Sequence, residues 1–283
     1  MFELVALDVD GTLLDDQHRL HPTTRDAILE AQQRGARICL ATGKLLASVR
    51  PLLSELGLHG AQIVCNGAAL MDGDSGCVVS AWPLEFDLLS AALATICNIA
   101  PDQATAWYST DAIFTDAPVG PLDDILASYH EPSVRHVSAL DGALPPALKL
   151  LLTGDPDHLR QLRDHLTAAL GGQATVMRTT ADFVEIVSPE VSKGRALTAL
   201  AAQLGINRDS IVAIGDGEND LSLFDASGMG IAMGNAMPAL LRRADAVTAT
   251  ANELGVVHAL TALGMSSRGD GDKLRRLPPS DHD

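Results

Sequence analysis

Four acidic side chains and one lysine stand where this sequence could do chemistry. Asp8 and Asp10 follow a short apolar run, Leu4-Val5-Ala6-Leu7, and precede Gly11-Thr12. Side chains two apart on an extended chain point the same way, so both carboxylates can converge on one site. Far along the chain, Ile211-Val212-Ala213-Ile214 ends in Gly215-Asp216-Gly217-Glu218-Asn219-Asp220. Asp8, Asp216 and Asp220 brought together repel one another unless a cation sits among them. All-oxygen ligands with room for water and a phosphate oxygen suit Mg²⁺. A divalent ion also lets a carboxylate approach a phosphate dianion, because it neutralises the repulsion between them. Lys193 follows the helix-capping Ser192, adding positive charge where free N–H groups already make an anion site. Thr42 and the Gly43 amide end another apolar run and can donate to phosphate oxygens.

Each residue also has an ordinary reading. Asp and Gly are common in turns, Thr42 could cap a helix, and Asp220 could favour a helix start. Lys193 alone reads as a solvated surface lysine. Other motifs fail on spacing. Thr42-Gly43-Lys44 lacks the Ser/Thr and upstream glycine of a phosphate-binding loop. The segment 216–220 lacks the central glycine and distal glutamate of a calcium loop.

The elements that must position these residues follow a strand–helix rhythm. Leu4–Leu7 is apolar on both faces, as in a central parallel strand covered by helices. A helix follows Pro22, then a strand at Ile38–Ala41, and a helix to Leu56 in which Pro51 predicts a kink or a late start. A third strand is expected at Ile63–Cys65. This pattern implies parallel strands with right-handed crossovers, an α/β fold whose ligands gather at the carboxyl ends of strands. From about Pro83 to Asp182 helices alternate with short strands in a different rhythm, read as an inserted α+β lobe. The division expected is 1–82 with 183–264 for the core, 83–182 for the insert, and a disordered polar tail at 265–283. In the insert, Trp107-Tyr108 reads as a core pair more readily than as a pocket wall.

The chain has 283 residues, 47% of them hydrophobic, enough for a core plus an added lobe. Its net charge of −16 argues against nucleic acid or an anionic membrane as partner. It leaves room for a small anionic substrate held by a local cation. The four cysteines show no paired spacing and read as buried thiols in a reducing cytoplasm. No basic leader precedes Asp8, and no apolar run reaches membrane-spanning length, so a soluble cytoplasmic protein is expected.

These residues, taken together, resemble the haloacid dehalogenase superfamily of Mg²⁺-dependent phosphohydrolases. The motifs in order are Asp8-Val9-Asp10-Gly11-Thr12, Thr42, Lys193 and Gly215-Asp216-Gly217-Glu218-Asn219-Asp220. The likeness extends to Asn66-Gly67-Ala68, Glu185-Ile186 and Gly230-Ile231-Ala232-Met233-Gly234-Asn235-Ala236. It is similar to the Cof-type branch with a C2 (IIB) cap inserted between the second and third motifs. The resemblance implies a Rossmann-like doubly wound parallel sheet with an α+β cap. It implies Asp8 as nucleophile, forming an aspartyl-phosphate, and Asp10 as the group that protonates the leaving oxygen. It implies Mg²⁺ held by Asp8, Asp10 through its main-chain carbonyl, and Asp216, with Asp220 near the ion or orienting Lys193. Thr42, Gly43, Lys193 and Asn219 would hold phosphoryl oxygens. Where the family has arginine this chain has Lys44, a point charge without the bidentate fork.

The activity expected is hydrolysis of a small phosphorylated metabolite, a sugar phosphate or phosphorylated cofactor, by a monomer or homodimer. The enzymatic alternative is a phosphomutase. A non-catalytic metabolite-binding or regulatory protein is the other class, and a binder has no use for a nucleophile and a proton carrier together.

Overall fold

A computed structural model describes residues 2–117, 119–137, 146–180 and 182–277. The chain starts with β1 (Leu4–Leu7), all four residues buried. α1 (Pro22–Gln33) leads to β2 (Arg37–Leu40), and α2 (Leu46–Leu56) carries Pro51 inside it. The helix therefore starts before the proline rather than at it, giving up the one backbone bond that Pro51 cannot donate.

Then the parallel rhythm breaks. β3 (Ala61–Val64) touches the end of the β2 path only through a parallel bridge, Ala41 with Ile63. Its ladder runs instead to β4 (Ala69–Asp72), which pairs with β5 (Val78–Ala81), both antiparallel. The expected third parallel strand is the first strand of a separate meander. The turns responsible are Asn66-Gly67, with Asn66 at φ 57°, and the glycine-bounded segment Gly73–Gly76.

The inserted region contributes α3 (Phe86–Ile99), β6 (Thr105–Tyr108), β7 (Ile113–Thr115), α4 (Val119–Ser128), β8 (Val134–His136), β9 (Lys149–Thr153), α5 (Pro156–Leu170), β10 (Thr175–Thr180) and β11 (Phe183–Val187). Its sheet order is β10-β11-β9-β6-β7-β8. β11 thus belongs to the insert, where it pairs antiparallel with β10 and β9. The return to the core comes after Val187, not at Phe183. An apolar strand does not reveal which of two sheets it will join, since either would bury it.

The core is completed by α6 (Lys193–Leu204), β12 (Ile211–Gly215), α7 (Leu221–Ala226), β13 (Met229–Ala232), α8 (Pro238–Arg243), β14 (Ala246–Val247), α9 (Gly255–Ala262) and β15 (Arg275–Arg276). The core sheet runs β15-β14-β13-β12-β1-β2, parallel except for β15. Its two faces bury different residues of β1. Val5 and Leu7 pack with α1, α2 and α9, while Leu4 and Ala6 pack with α6, α7 and α8. This is the doubly wound α/β core with an inserted α+β cap that the motifs imply. No helix among the described residues is long and apolar enough to cross a membrane. Of the cysteines, Cys39 and Cys65 are buried, and burial pushes both thiols up to about 12. Cys77 and Cys97 are exposed, against expectation.

The segment after residue 264 is also ordered where described, up to Leu277. Met265 is buried, β15 adds to the sheet edge, and Leu277 N–H donates to the Asp245 carbonyl at 2.8 Å. Residues 278–283 of the expected tail lie outside the described residues. A polar composition hid an anchor that is itself polar. Glu30 on α1 accepts from the Ser267 N–H (3.1 Å) and from the hydroxyls of Ser266 (3.1 Å) and Ser267 (3.0 Å). The Ser267 N–H first, then Arg34, lower the Glu30 carboxyl from 4.5 to about 2. A lowered folded-state value means the stabilisation is complete above 4.5 and disappears as pH falls through about 2. Glu30→Gln is expected to lower the melting temperature by a few degrees at neutral pH. In thermal denaturation across pH, its deficit relative to wild type should shrink as pH drops from 4.5 toward about 2.

Candidate active site

The carboxyl ends of β1 and β12 lie side by side, with Leu7 opposite Ile214, and each strand delivers an aspartate one step beyond. Asp8 N–H donates to the Ile214 carbonyl at 3.0 Å, which keeps the two strand ends together. Between them stands Lys193, the first residue of α6, its side chain fully buried. Ser192 caps that helix, its hydroxyl accepting from the Arg195 N–H. The ammonium donates to Asp8 Oδ1 and to Asp220 Oδ1, each at 2.6 Å. Asp220 Oδ2 accepts the N–H groups of Asp216 (3.0 Å) and Gly217 (2.9 Å). Asp220 thus ties the lysine to the loop that carries Asp216.

Asp216 is held from the other side. The Thr12 hydroxyl donates to its Oδ1 at 2.9 Å, and Asn235 Nδ2 bridges the Gly11 carbonyl (2.8 Å) and Asp216 Oδ2 (3.4 Å). Gly11 has φ 79°, and a Cβ there would lie 2.4 Å from Asp216 Oδ2. Only glycine fits that turn against that carboxylate. Oxygens of Asp8, Asp216 and Asp220 all lie within 4.8 Å of one another. Burial, then Asp220, pushes the Asp8 carboxyl well above its ordinary range, against the pull of Lys193. Burial and Asp220 likewise raise Asp216 to about 6. Burial works against the Lys193 charge, but Asp220 and Asp8 outweigh it and hold the ammonium above an ordinary lysine. Three carboxylates share one ammonium, which leaves the cluster short of positive charge. Its hard oxygen donors fit a divalent cation such as Mg²⁺.

The carboxylate of Asp10 does not join this cluster. Its Oδ1 instead meets Lys44 Nζ at 2.6 Å and His18 Nδ1 at 3.1 Å. The resemblance to the superfamily implies that an ion would meet Asp10 at its main-chain carbonyl, not at this carboxylate. Thr42 is 1% exposed, and its hydroxyl accepts the Lys44 N–H at 3.1 Å. It is not a helix cap, because α2 begins after Leu45. Gly43 and Asn219 face a cavity of about 260 Å³, together with Asp8, Asp10 and Asp216. Thr42, Lys193 and Asp220 are buried at 1% exposure or less.

Sequence reasoning missed the buried network under this cavity. Glu185 of β11 accepts from Lys149 of β9 (2.9 Å), from Asn66 Nδ2 (2.7 Å) and from Thr179 (3.2 Å). Lys149 also donates to the Gly43 carbonyl at 2.8 Å, and Asn219 Nδ2 donates to Asn66 Oδ1 at 2.9 Å. This chain of bonds runs from the insert into two core loops. A signal was present in each case. Glu185 sits inside Phe-Val-Glu-Ile-Val and Lys149 inside Leu-Lys-Leu-Leu, and a charge in an apolar strand needs a partner. Tyr108 lines the cavity, while Trp107 packs in the core of the insert.

Comparison with known proteins places this geometry in a family. The family model for haloacid dehalogenase-like hydrolases matches residues 5–260. The chain is 33% identical over 251 residues to the HMP-PP phosphatase of Cronobacter sakazakii, covering 85% of this chain and 87% of that one. It is 30% identical to the HMP-PP phosphatase of Yersinia enterocolitica, over 92% of this chain and 94% of the other. A haloacid dehalogenase-like hydrolase from Bacteroides thetaiotaomicron superposes with a TM-score of 0.82 at 28% identity, covering 93% and 100%. The fold is shared as well with the subclass IIB sugar phosphatase BT4131, TM-score 0.81 at 22% identity, covering 93% and 99%. The chain belongs to the haloacid dehalogenase-like hydrolases, and it is a phosphatase of that family.

Proposed function

We propose that this phosphatase is Mg²⁺-dependent and hydrolyses small phosphate monoesters through an aspartyl-phosphate on Asp8. The observation that carries the reading is the convergence of Asp8, Asp216 and Asp220, two of them bonded to one buried lysine, beside a cavity that Asp8, Asp10 and Asp216 line. Asp8, Asp216 and the Asp10 carbonyl would hold the ion, while Asp220 has both oxygens engaged by Lys193 and by backbone N–H groups. When bound, Mg²⁺ supplies the positive charge that lets a carboxylate and a phosphate dianion meet.

Asp8 attacks phosphorus, the ester oxygen leaves, and the phosphoryl group rests on the carboxylate. Lys193 keeps Asp8 aimed and opposes the burial that raises its carboxyl. Asp10 gives its proton to the leaving oxygen and then takes one from the water that releases phosphate. Its half-exposed carboxylate can reach both partners, and Lys44 and His18 fix its direction. Gly43 and Asn219 face the phosphoryl position from the cavity wall. Thr42, a buried residue of the same loop, supports it. The insert, residues 83–187 in this reading, closes the cavity and excludes water and bulky esters.

Phosphate release from nitrophenyl phosphate should require Mg²⁺ and stop on chelation. Asp8→Asn should show none above background while its melting curve stays cooperative. Turnover by Asp8→Asn at the wild-type rate would discard the mechanism. Asp10→Asn should cost about 10²–10⁴ in kcat on alkyl phosphates and much less on nitrophenyl phosphate, whose leaving oxygen needs little protonation. An equal loss on both esters would remove Asp10 from the acid role.

A further inference from the structure

Two core side chains hold Asp10 through one oxygen, and a single turn of the insert meets the surroundings of both. Lys44 and His18 reach Asp10 Oδ1 at 2.6 and 3.1 Å. The turn is Tyr129-His130-Glu131, directly after α4. Its own backbone closes it. The N–H groups of Tyr129 and Glu131 donate to the Leu126 carbonyl and that of His130 to the Ala127 carbonyl, each at 3.0 Å.

Glu131 reaches across to the start of α2, where its carboxylate accepts from the Ser48 hydroxyl in the first turn. That helix has no capping side chain of its own, since Leu45 stands at the cap position. The insert therefore supplies the acidic group that a helix start favours. Burial raises the Glu131 carboxyl, while Lys149, Ser48, the Leu45 N–H and Lys44 oppose the rise. Leu45 follows Lys44 directly, so a contact that fixes the start of α2 also fixes the backbone carrying the Asp10-bound ammonium.

Tyr129 and His130 stand at the other support. Each ring lies 6.0 Å, centroid to centroid, from the His18 ring. Phe183 braces Tyr129 at 4.7 Å. His130 has φ 61°, the left-handed conformation that ends many helices and in which glycine is usual. His18 has φ 55°, so two non-glycine residues keep their side chains at costly backbone positions and set their rings together, tilted by 58°. The end of α4 requires no ring at 130; what the imidazole faces accounts for it.

We propose that His130 and Glu131 are positioning residues for the acid step, holding the Asp10 carboxyl toward the leaving oxygen through His18 and Lys44. The contact serves the leaving-oxygen proton rather than attack by Asp8, whose carboxylate is held separately by Lys193. This inference rests on the reading of Asp10 as proton carrier and extends that role to the insert.

The test compares kcat/KM for benzyl phosphate and nitrophenyl phosphate, esters of similar ring size. The benzyl oxygen needs a proton as it leaves, and the nitrophenyl oxygen needs little. This constant ends at the aspartyl-phosphate, so the hydrolysis step common to both esters does not enter it. The variants are His130→Gly and Glu131→Gln, alone and combined with Asp10→Asn, with melting curves for each. His130→Gly should stay folded, because glycine suits the left-handed turn. Each single variant should lose about fivefold to tenfold on benzyl phosphate and less than about twofold on nitrophenyl phosphate. In the Asp10→Asn background neither change should cost more, as expected of residues that act through one group. Equal losses on both esters, or none on either, in the folded variants overturn the proposal. A further loss in the Asp10→Asn background also overturns it, since the turn would then act without Asp10. An equal loss on the two esters for Asp10→Asn alone would remove the acid role itself and this inference with it.

Discussion

One ammonium shared between two carboxylates, out of reach of water, is the constraint around which this active site is arranged. Lys193 is bonded to Asp8 and Asp220 at 2.6 Å each, with its own side chain fully buried. Removing one partner from such a group leaves an uncompensated buried charge, which is strongly destabilising. The surrounding structure answers that demand in detail. Ser192 caps the helix that starts at the lysine, Asp220 spends its second oxygen on the loop before it, and Gly11 leaves room for Asp216. The same crowding keeps Asp8 and Asp216 raised above ordinary carboxylates, poised to accept further positive charge.

The insert is wired to this centre through a second buried pair. Lys149 and Glu185 stand on neighbouring strands of its sheet, and their remaining bonds go to Gly43 and Asn66 in the core. Asn66 passes the contact on to Asn219, next to Asp220. The core loops around Gly43, Asn66 and Asn219 and the insert strands that carry Lys149 and Glu185 are therefore parts of one polar network. Gly67 belongs to the same arrangement, since a Cβ there would lie 2.2 Å from the Ser192 carbonyl oxygen. Such close backbone approach explains why Asn66-Gly67 accompanies the acidic motifs in this chain.

Position 44 shows how a nearly buried ammonium grips a single carboxylate oxygen. Lys44 is nearly buried and makes a single 2.6 Å contact with Asp10. An ammonium serves one oxygen as a point charge, where a guanidinium would span two. Here the second contact to that oxygen comes from His18 at 3.1 Å. His18 has φ 55° and lies 6.0 Å, centroid to centroid, from Tyr129 of the insert. Asp10 is thus directed from the core and stands close to the insert.

Local pattern was enough for the β1 faces, the Ser192 cap, the acidic turns and the existence of an insert, because periodicity and turn chemistry act over a few residues. The same locality explains the errors. Whether Phe183–Val187 joins one sheet or another, and whether Ile63 begins a parallel strand or a meander, depends on which distant edge is free. The segment at 265–277 reads as a loose tail until Glu30, far away in sequence, supplies its anchor. Residue types and order alone determined the inventory of acids, lysine and glycines that phosphoryl chemistry needs. Tertiary structure decided which carboxylate faces which cation: Asp220 toward Lys193, Asp10 toward Lys44, Glu185 toward Lys149. Such pairings depend on distances of a few ångströms between groups far apart along the chain, and only the packed fold sets those distances.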